Sequence, residues 1–243
     1  FPSTACHVQR ALGADSVMAF DLSASCSGFL YGLSMADAMH RSGHIRSCLV
    51  VAAEVKSSSL NLADKETAVL FGDGAGAVVM VQEESVRPEA PGILGVRLYA
   101  EGAGHGLITI PAGGSRKPSG AETVRAKDHL LRMRGSAVFR AAVRHLEHAI
   151  VDLLKEFGLS TADVTRFIAH QANARILEQL RRRLKLSQEA IYSVIERYGN
   201  TSSASLPIAL DCAVREQRLA AGDVVVLAAF GGGLTWATGL VRW

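Results

Sequence analysis

The chain carries two copies of one glycine turn, each followed by an apolar run, and this repeat constrains the fold more than any other feature. The first copy is FGDGAGAVVMV at 71–81, and the second is FGGGLTWATGLVRW at 230–243. Each copy ends a stretch in which apolar runs of strand length alternate with segments of helical periodicity. Such alternation is typical of α/β folds. We therefore predict a duplicated α/β unit, and a chance match of one glycine turn is the alternative.

The first half is predicted to begin with a strand, a helix and a second strand. SVMAFDL at 16–22 predicts a strand, and apolar residues at helical spacing from Cys26 predict a helix that Gly43 ends. SCLVVAAEV at 47–55 forms a continuous apolar run and so predicts a buried parallel strand. Residues 85–132 contain PAGGSRKPSG and predict an exposed excursion.

The second half is predicted to repeat this plan behind one long helix. From Phe139 to Phe157, apolar residues follow a 3-4-3-4 spacing that ends at Gly158, which is typical of a helix with one buried face. The predicted strands that follow lie at 166–170, 190–195 and 224–230, and the predicted helices lie around 176–184 and at 203–219. We therefore predict two α/β halves with mixed sheets, at residues 1–132 and 133–243.

Composition indicates a soluble protein of a reducing, cytoplasmic setting. Apolar residues make up 49% of the chain, which excludes disorder, and no apolar run approaches the roughly 20 residues of a membrane span. The cysteines at positions 6, 26, 48 and 212 show neither a C-x-x-C pair nor zinc spacing, so we expect reduced thiols and no metal site. A net charge of +3 is too small to predict nucleic-acid binding.

Three polar residues are predicted at the carboxyl ends of strands, where parallel α/β folds place their chemistry. Cys26 begins a helix, His170 ends RFIAH, and Asn200 lies in RYGNTSSAS. A helix N-terminus favours the thiolate, so we expect a lowered pKa for Cys26. Singly, each residue has an ordinary alternative: an inert buried cysteine, a hydrogen-bonded histidine and a turn asparagine. Together they supply a nucleophile, an imidazole and an amide donor for acyl transfer.

Five ordered stretches carry a resemblance that spans the whole chain. DLSASCSGFLYGLSMADA, AVLFGDGAGAVV, AHQANARI, RYGNTSSASLPIALD and AFGGGLTWATGLVRW resemble the β-ketoacyl-acyl-carrier-protein synthase III family, condensing enzymes of the thiolase superfamily that start fatty-acid synthesis. The resemblance implies a thiolase-like α/β fold, in which two mixed sheets of the five-stranded type form αβαβα layers. The chain opens FPSTACHVQRAL, without an initiator Met or a leading strand. We therefore expect an incomplete first half that lacks part of the coenzyme A site.

The resemblance also implies catalytic roles. Cys26 would take an acyl group from acyl-CoA as a thioester. His170 and Asn200 would hold the thioester carbonyl of malonyl-acyl-carrier protein and stabilise the enolate-like charge that forms as carbon dioxide leaves. Backbone N–H groups of Cys26 and Gly232 would form the oxyanion hole. No cofactor is implied, because acyl-CoA and malonyl-acyl-carrier protein are both substrates.

Further residues are assigned to substrate binding by the same resemblance. Phe71 would line the acyl pocket, and Phe1 would reach that pocket across the interface of a homodimer. Lys65 stands where the family often has an arginine that stacks on the adenine of coenzyme A. The pantetheine channel would be lined by Gly135, Phe139, Ala172 and Asn173. For the aromatic residues, ordinary core packing is the alternative.

Basic residues are concentrated at 175–185. Arg175, directly after HQAN, is the predicted contact with the acyl carrier protein, and a solvated helix face is the alternative. Two other functions stay open: a condensing enzyme of a secondary-metabolite pathway, such as a polyketide starter enzyme, and a non-catalytic subunit that binds acyl chains or the carrier protein. Elongating synthases are disfavoured because Asn200 occupies the place of their second histidine.

Overall fold

The computed structural model describes residues 1–82 and 90–243. Its helices are α1 (Thr4–Ala11), α2 (Gly28–Arg41), α3 (Ala121–Arg125), α4 (Gly135–Glu156), α5 (Ala174–Leu184), α6 (Ile195–Tyr198) and α7 (Ser205–Arg215). Its strands are β1 (Ser47–Glu54), β2 (Gly74–Val81), β3 (Gly92–Ala100), β4 (Ile108–Thr109), β5 (Arg132–Met133), β6 (Arg166–Ala169), β7 (Ile191–Tyr192), β8 (Val224–Gly231) and β9 (Thr235–Arg242). No helix in this part of the chain combines the length and the apolar character needed to cross a membrane.

Five strands form one mixed sheet in the order β3-β9-β8-β6-β7. β6 runs parallel to its neighbours β7 and β8, whereas β9 runs antiparallel to both β8 and β3. The central strand β8 is buried from Val225 to Gly231. This burial accounts for the continuous apolar run of β8, because a strand covered on both faces has no solvent side.

Helices cover both faces of this sheet. On one face, α4 and α5 pack their apolar sides, including Leu146, Ile150 and Leu180, against the strands. On the other face, α2 and α7 pack against the sheet and also against the β1–β2 pair, through a second cluster that includes Phe29 and Leu206. The described residues therefore form four successive layers, α4/α5, sheet, α2/α7 and β1/β2, which agrees with the predicted αβαβα order and with an incomplete first half.

The predicted duplication takes the form of a helix followed by an antiparallel strand pair, once in each half. α2 leads to β1 and β2, and α7 leads to β8 and β9. A short 3-10 turn precedes each helix, at Ser25–Ser27 and at Ser202–Ala204. The first residue of each turn has a positive φ, 53° at Ser25 and 54° at Ser202. The two halves therefore present the same local backbone at the start of α2 and of α7.

Three predictions for the first half are wrong. Residues 16–22 form no strand, and β1 pairs antiparallel with β2 with many of its residues exposed or half-buried. Residues 92–100, predicted to be part of an exposed excursion, form β3 at the edge of the main sheet. Residues 85–89 of that excursion lie outside the described part of the chain.

All three errors concern strand pairing. An apolar run in the sequence does not determine whether a neighbouring strand will pair with it, or which one. Met18 and Phe20 are exposed, and within the described residues no neighbouring strand supplies a hydrogen-bonded ladder for 16–22. β3 lies before residue 132 in the chain but pairs with β9. The sheet of the second half therefore contains a strand from before the predicted domain boundary at 132/133. The division at 132/133 stays a prediction.

Candidate active site

Cys26 lies in the 3-10 turn that precedes α2 and is buried, with 9% of its surface exposed. The end of β8 packs directly against it. A Cβ atom placed on Gly231 would lie 2.6 Å from the Cys26 backbone nitrogen. Glycine is therefore required at 231, because a side chain there would push the cysteine turn away from the sheet.

The strand pairing of β6 with β8 fixes the position of His170. Directly after β6, the His170 backbone N–H donates to the Ala228 carbonyl at 2.7 Å, which continues the parallel pairing by one residue. Asn200 precedes the second 3-10 turn and forms a parallel bridge with Phe71. The Asn200 N–H donates to the Leu70 carbonyl at 2.8 Å.

Cys26, His170 and Asn200 line one cavity of about 690 Å³. His170 and Asn200 are 4% and 5% exposed, so the polar atoms of both act in an environment largely shielded from water. In such an environment hydrogen bonds to developing charge are stronger than in water. The structure thus brings together the three residues that the sequence predicts as a catalytic set.

The pKa of the Cys26 thiol is raised and not lowered. Burial raises its pKa above the ordinary value, while a hydrogen bond with Ser202 and the positive charge of Lys56 act in the opposite direction and the charge of Glu54 raises it further. The Cys26 Sγ and the Ser202 Oγ lie 3.4 Å apart. The predicted lowering of this pKa is therefore wrong, because desolvation of the thiolate outweighs the favourable groups at the helix start.

The His170 imidazole is neutral. Burial lowers its pKa to about 4, although Glu54 and the backbone of Ser202 raise it. The His170 Nδ1 lies 2.5 Å from the Ser205 Oγ, and this oxygen also accepts the Gln171 backbone N–H at 3.1 Å. We assign the Ser205 hydrogen to a bond toward Nδ1, which places the imidazole hydrogen on Nε2. In this tautomer His170 can donate a hydrogen bond to a substrate oxygen.

The Asn200 side chain is oriented by the turn that follows it. Its Oδ1 accepts the Ser202 backbone N–H at 2.9 Å, which leaves the amide nitrogen to act as the donor. That Nδ2 has one long contact, at 3.5 Å, with the Ala172 carbonyl. Such a weak bond costs little to exchange, so Asn200 can donate to a substrate in the cavity.

Comparison with known proteins decides the family. The family model for 3-oxoacyl-[acyl-carrier-protein] synthase III matches residues 20–102, and the model for the C-terminal part of that synthase matches residues 154–243. A β-ketoacyl-[acyl-carrier-protein] synthase III of Caldanaerobacter subterraneus is 46% identical over 243 residues, which is 100% of this chain and 72% of the relative. The chain belongs to the 3-oxoacyl-[acyl-carrier-protein] synthase III family.

Solved structures agree with this synthase III assignment. The synthase III of Aquifex aeolicus superposes with a TM-score of 0.88 at 41% identity, covering 100% of this chain and 73% of that one. The priming β-ketosynthase of the R1128 polyketide pathway superposes with the same TM-score, 0.88, at 36% identity, covering 100% of this chain and 71% of its own. The predicted thiolase-like α/β fold and the predicted family are thus both confirmed.

Most of the predicted substrate-binding residues of this synthase III chain line the cavity that contains Cys26. These residues are Phe71, Gly135, Phe139, Ala172 and Asn173; Arg175, predicted to contact the acyl carrier protein, lines the same cavity. Two others do not line it: Phe1 is fully exposed, and Lys65 is an exposed residue beside the cavity-lining Glu66. Their assignments to substrate stay predictions.

Gly232, predicted to form the oxyanion hole, has its N–H directed at Ser25. The Gly232 N–H donates to the Ser25 Oγ at 3.2 Å, immediately beside Cys26. Gly232 does not itself line the cavity, whereas Ser25 and Cys26 do. The Ser25 hydroxyl thus accepts the Gly232 N–H, which is the hydrogen bond that a substrate oxygen would need in the oxyanion hole.

Sequence reasoning missed the residues that surround the catalytic set. Ser202 and Ser205 contact Cys26 and His170, and Ser203 donates to the Glu54 carboxylate at 2.7 Å. In the sequence, the clustered serines of NTSSAS indicate the start of a helix but not contacts with the catalytic residues. Glu54 ends β1, so the rule that polar residues at carboxyl ends of strands form sites could have found it.

Proposed function

We propose that the protein is a β-ketoacyl-acyl-carrier-protein synthase III that initiates fatty-acid biosynthesis. It is an acyltransferase that condenses an acyl-CoA primer with malonyl-acyl-carrier protein, with loss of carbon dioxide, through an acyl-cysteine intermediate. The observation that carries this proposal is that Cys26, His170 and Asn200 line one cavity in a chain of the synthase III family.

The first step is acyl transfer to Cys26. The Cys26 sulfur attacks the thioester carbon of acyl-CoA, the bond between that carbon and the coenzyme A sulfur breaks, and the thiol proton ends on the coenzyme A thiolate. Because burial raises the pKa of Cys26, its proton leaves as the attack proceeds and not beforehand. The Cys26 and Gly232 N–H groups stabilise the tetrahedral oxyanion once the Ser25 hydroxyl has turned away from Gly232.

The second step is decarboxylation of the malonyl group. The bond to the carboxylate breaks, carbon dioxide leaves, and the electron pair forms an enolate whose oxygen is the former thioester carbonyl. His170 Nε2–H and Asn200 Nδ2–H donate to that oxygen. Both side chains are buried and both have their other polar atom fixed, by Ser205 and by the Ser202 N–H respectively. Donors held in this way stabilise charge without reorganising.

The third step joins the two carbon chains. The carbanion attacks the carbonyl carbon of the acyl-cysteine, and collapse of the tetrahedral intermediate expels the Cys26 thiolate, which then takes up a proton. The product is a β-ketoacyl-acyl-carrier protein with two more carbons than the primer. This scheme needs no cofactor, because the electron pairs come from the two substrates and Cys26, and the one proton consumed, which the expelled Cys26 thiolate takes up, comes from solvent.

Carrier protein, partner subunit and cellular location are part of the proposal. Arg175 is exposed and lies on the wall of the cavity, where it can contact an acidic carrier protein that delivers the malonyl group. Phe1 is proposed to reach the acyl pocket of a second copy in a homodimer. The reduced state of Cys26 that the chemistry needs agrees with a cytoplasmic enzyme.

The test is a panel of acyl-CoA primers, with and without malonyl-acyl-carrier protein, in which the mass of the Cys26 peptide and the release of carbon dioxide are followed. We expect acylation of Cys26 by at least one primer, followed by condensation onto the carrier protein. Cys26→Ala abolishes both, while Cys212→Ala, at another buried cysteine, retains both. Acylation without condensation onto the carrier protein would reject this function in favour of a secondary-metabolite enzyme. Absence of acylation would leave only a binding subunit.

A further inference from the structure

An ion pair stands at the wall of the Cys26 cavity. The Lys56 ammonium and the Glu54 carboxylate are 2.8 Å apart, and the two side chains are only 29% and 18% exposed. Lys56 lines the cavity together with Cys26. Partial burial of the pair matters because charges shielded from water are screened much less than surface charges.

The same carboxylate is tied to the turn that contacts the nucleophile. The Ser203 hydroxyl donates to the Glu54 Oε1 at 2.7 Å, and the neighbouring Ser202 contacts the Cys26 sulfur at 3.4 Å. Glu54 uses its second oxygen for Lys56. Glu54 therefore holds the Lys56 ammonium in a fixed place relative to the turn that carries Ser202.

Resting on the function proposed above, we propose that Lys56 is a positioning residue that supplies the positive charge needed beside the buried nucleophile, with Glu54 as the anchor of that charge. Negative charge develops on the Cys26 sulfur twice in each cycle, as its proton leaves during attack on the primer and when the condensation expels it as a thiolate. A fixed ammonium at the cavity wall stabilises both states.

The two members of the pair act on Cys26 with opposite sign. The charge of Lys56 lowers the pKa of the thiol, and the charge of Glu54 raises it. Removing Lys56 alone leaves a carboxylate near a desolvated sulfur, which disfavours the thiolate. Glu54→Gln removes the negative charge but keeps a side-chain oxygen that can accept from Lys56, so the ammonium stays in place uncompensated, which favours the thiolate. A merely structural role of the pair predicts no such reversal.

Other charged or titratable groups lie on the cavity wall or on elements that pack against the cysteine turn. Those on the cavity wall are His170, Glu66, Arg140 and Arg175, and those on the elements packed against the cysteine turn are Tyr31, Asp37, His40 and Arg41 of α2 and Arg242 at the far end of β9. All of them remain in each variant below. A reversal of sign between variants of Lys56 and Glu54 therefore reports on this pair alone.

The experiment measures alkylation of Cys26 by iodoacetamide from pH 7 to pH 11, without any substrate, by mass analysis of the Cys26 peptide. Compared are Lys56→Met, Lys56→Arg, Glu54→Gln and, as a matched control, Lys155→Met near the far end of α4. We expect Lys56→Met to raise the pH midpoint by roughly one unit and Glu54→Gln to lower it. Lys56→Arg keeps the charge and stays near the parent protein, as does Lys155→Met.

Shifts of the same sign in Lys56→Met and Glu54→Gln, or no shift in either, would overturn the proposal. If Lys56→Met does not fold, the midpoint of Glu54→Gln decides alone: a lowered midpoint supports the proposal and an unchanged one rejects it. Because no substrate is present, the result is independent of the proposed condensation. If the midpoints of Lys56→Met and Glu54→Gln shift in opposite directions but the parent protein does not condense acyl chains, the proposed function is refuted and the proposed role of the Lys56–Glu54 pair stands.

Discussion

A serine at the start of α7 lies within hydrogen-bonding distance of a histidine at the end of β6. Ser205 Oγ and His170 Nδ1 are 2.5 Å apart, and because this hydroxyl also accepts the Gln171 N–H, we assign its hydrogen to the bond toward the ring. His170 is thereby kept as a hydrogen-bond donor through Nε2. The tautomer and the pKa of this histidine thus have different structural causes: the contact with Ser205 accounts for the tautomer, and burial accounts for the lowered pKa.

The first prediction concerns this serine. We expect Ser205→Ala to slow decarboxylative condensation about tenfold, since a hydrogen bond of roughly 1.5 kcal/mol no longer selects the Nε2–H tautomer. Acylation of Cys26, which does not use that donor in our scheme, should change less. Rates of both half-reactions measure the effect, with Ser42→Ala at the end of α2 as the control. Equal slowing of both half-reactions would argue against a tautomer role.

The second prediction concerns stability against pH. His170 titrates at about 4 when folded, against 6.5 for an unperturbed imidazole. The unfolded chain therefore binds a proton between these values that the folded protein does not. The contribution of His170 is fully present above pH 6.5 and is lost as the pH falls to 4, by about 3 kcal/mol in total.

Urea unfolding at several pH values between 4 and 7 measures this loss. The comparison protein is His170→Asn, which lacks the titrating group and should show a flatter dependence over the same window. If the free energy of unfolding changes with pH in parallel for the parent protein and for His170→Asn, then burial does not hold the His170 imidazole neutral.

The third prediction tests the close approach of β8 to the nucleophile. Gly231→Ala places a Cβ 2.6 Å from the Cys26 nitrogen, so the cysteine turn must move. We expect loss of Cys26 acylation and destabilisation of roughly 1–3 kcal/mol. Gly106→Ala is the matched control, because a Cβ there meets nothing within 4 Å. Thermal unfolding and acylation rates are the measurements, and a fully active Gly231→Ala protein would contradict the geometry.

The fourth prediction concerns the carrier protein. Arg175→Glu should raise the KM for malonyl-acyl-carrier protein several-fold and weaken its salt dependence, because an exposed charge acts mainly on encounter. Acylation by acyl-CoA should be nearly unchanged. Arg215→Glu at the end of α7, away from the cavity, serves as the control. If both variants alter KM alike, the effect is one of net charge and not of a docking site.

Sequence reasoning predicted the elements of the second half well because their signals are local. The helix of α4, the buried strand β8 and the glycine turns each depend on residues within one short segment. Cys26, His170 and Asn200 were found because each follows a strand or begins a helix, and such ends meet at one edge of a sheet. The partner of a strand is not local information, which is why β1 was given the wrong direction and β3 was missed.

The electrostatics of the site could not be predicted in the same way. A cysteine before a helix suggests a thiolate, but burial reverses that expectation, and burial depends on the packing of β8 and of the turn at Ser202. The network of Ser205, Gln171 and His170 joins groups more than thirty residues apart along the chain. Only the folded arrangement of both halves brings them together.

The matching turns at Ser25 and Ser202 have a consequence for how the chemistry is divided. Each turn places its second residue at the same point of an equivalent backbone, so Ser203 stands in the second half where Cys26 stands in the first. The first copy carries the Cys26 sulfur, whereas the second carries the hydroxyls that contact Cys26 and Glu54 and directly follows the Asn200 amide. Neither copy of the turn carries the whole catalytic set, because only the first has the nucleophile and only the second follows the Asn200 amide. In the proposed reaction, this difference allows one cavity to bind a carbon chain on Cys26 and then extend it.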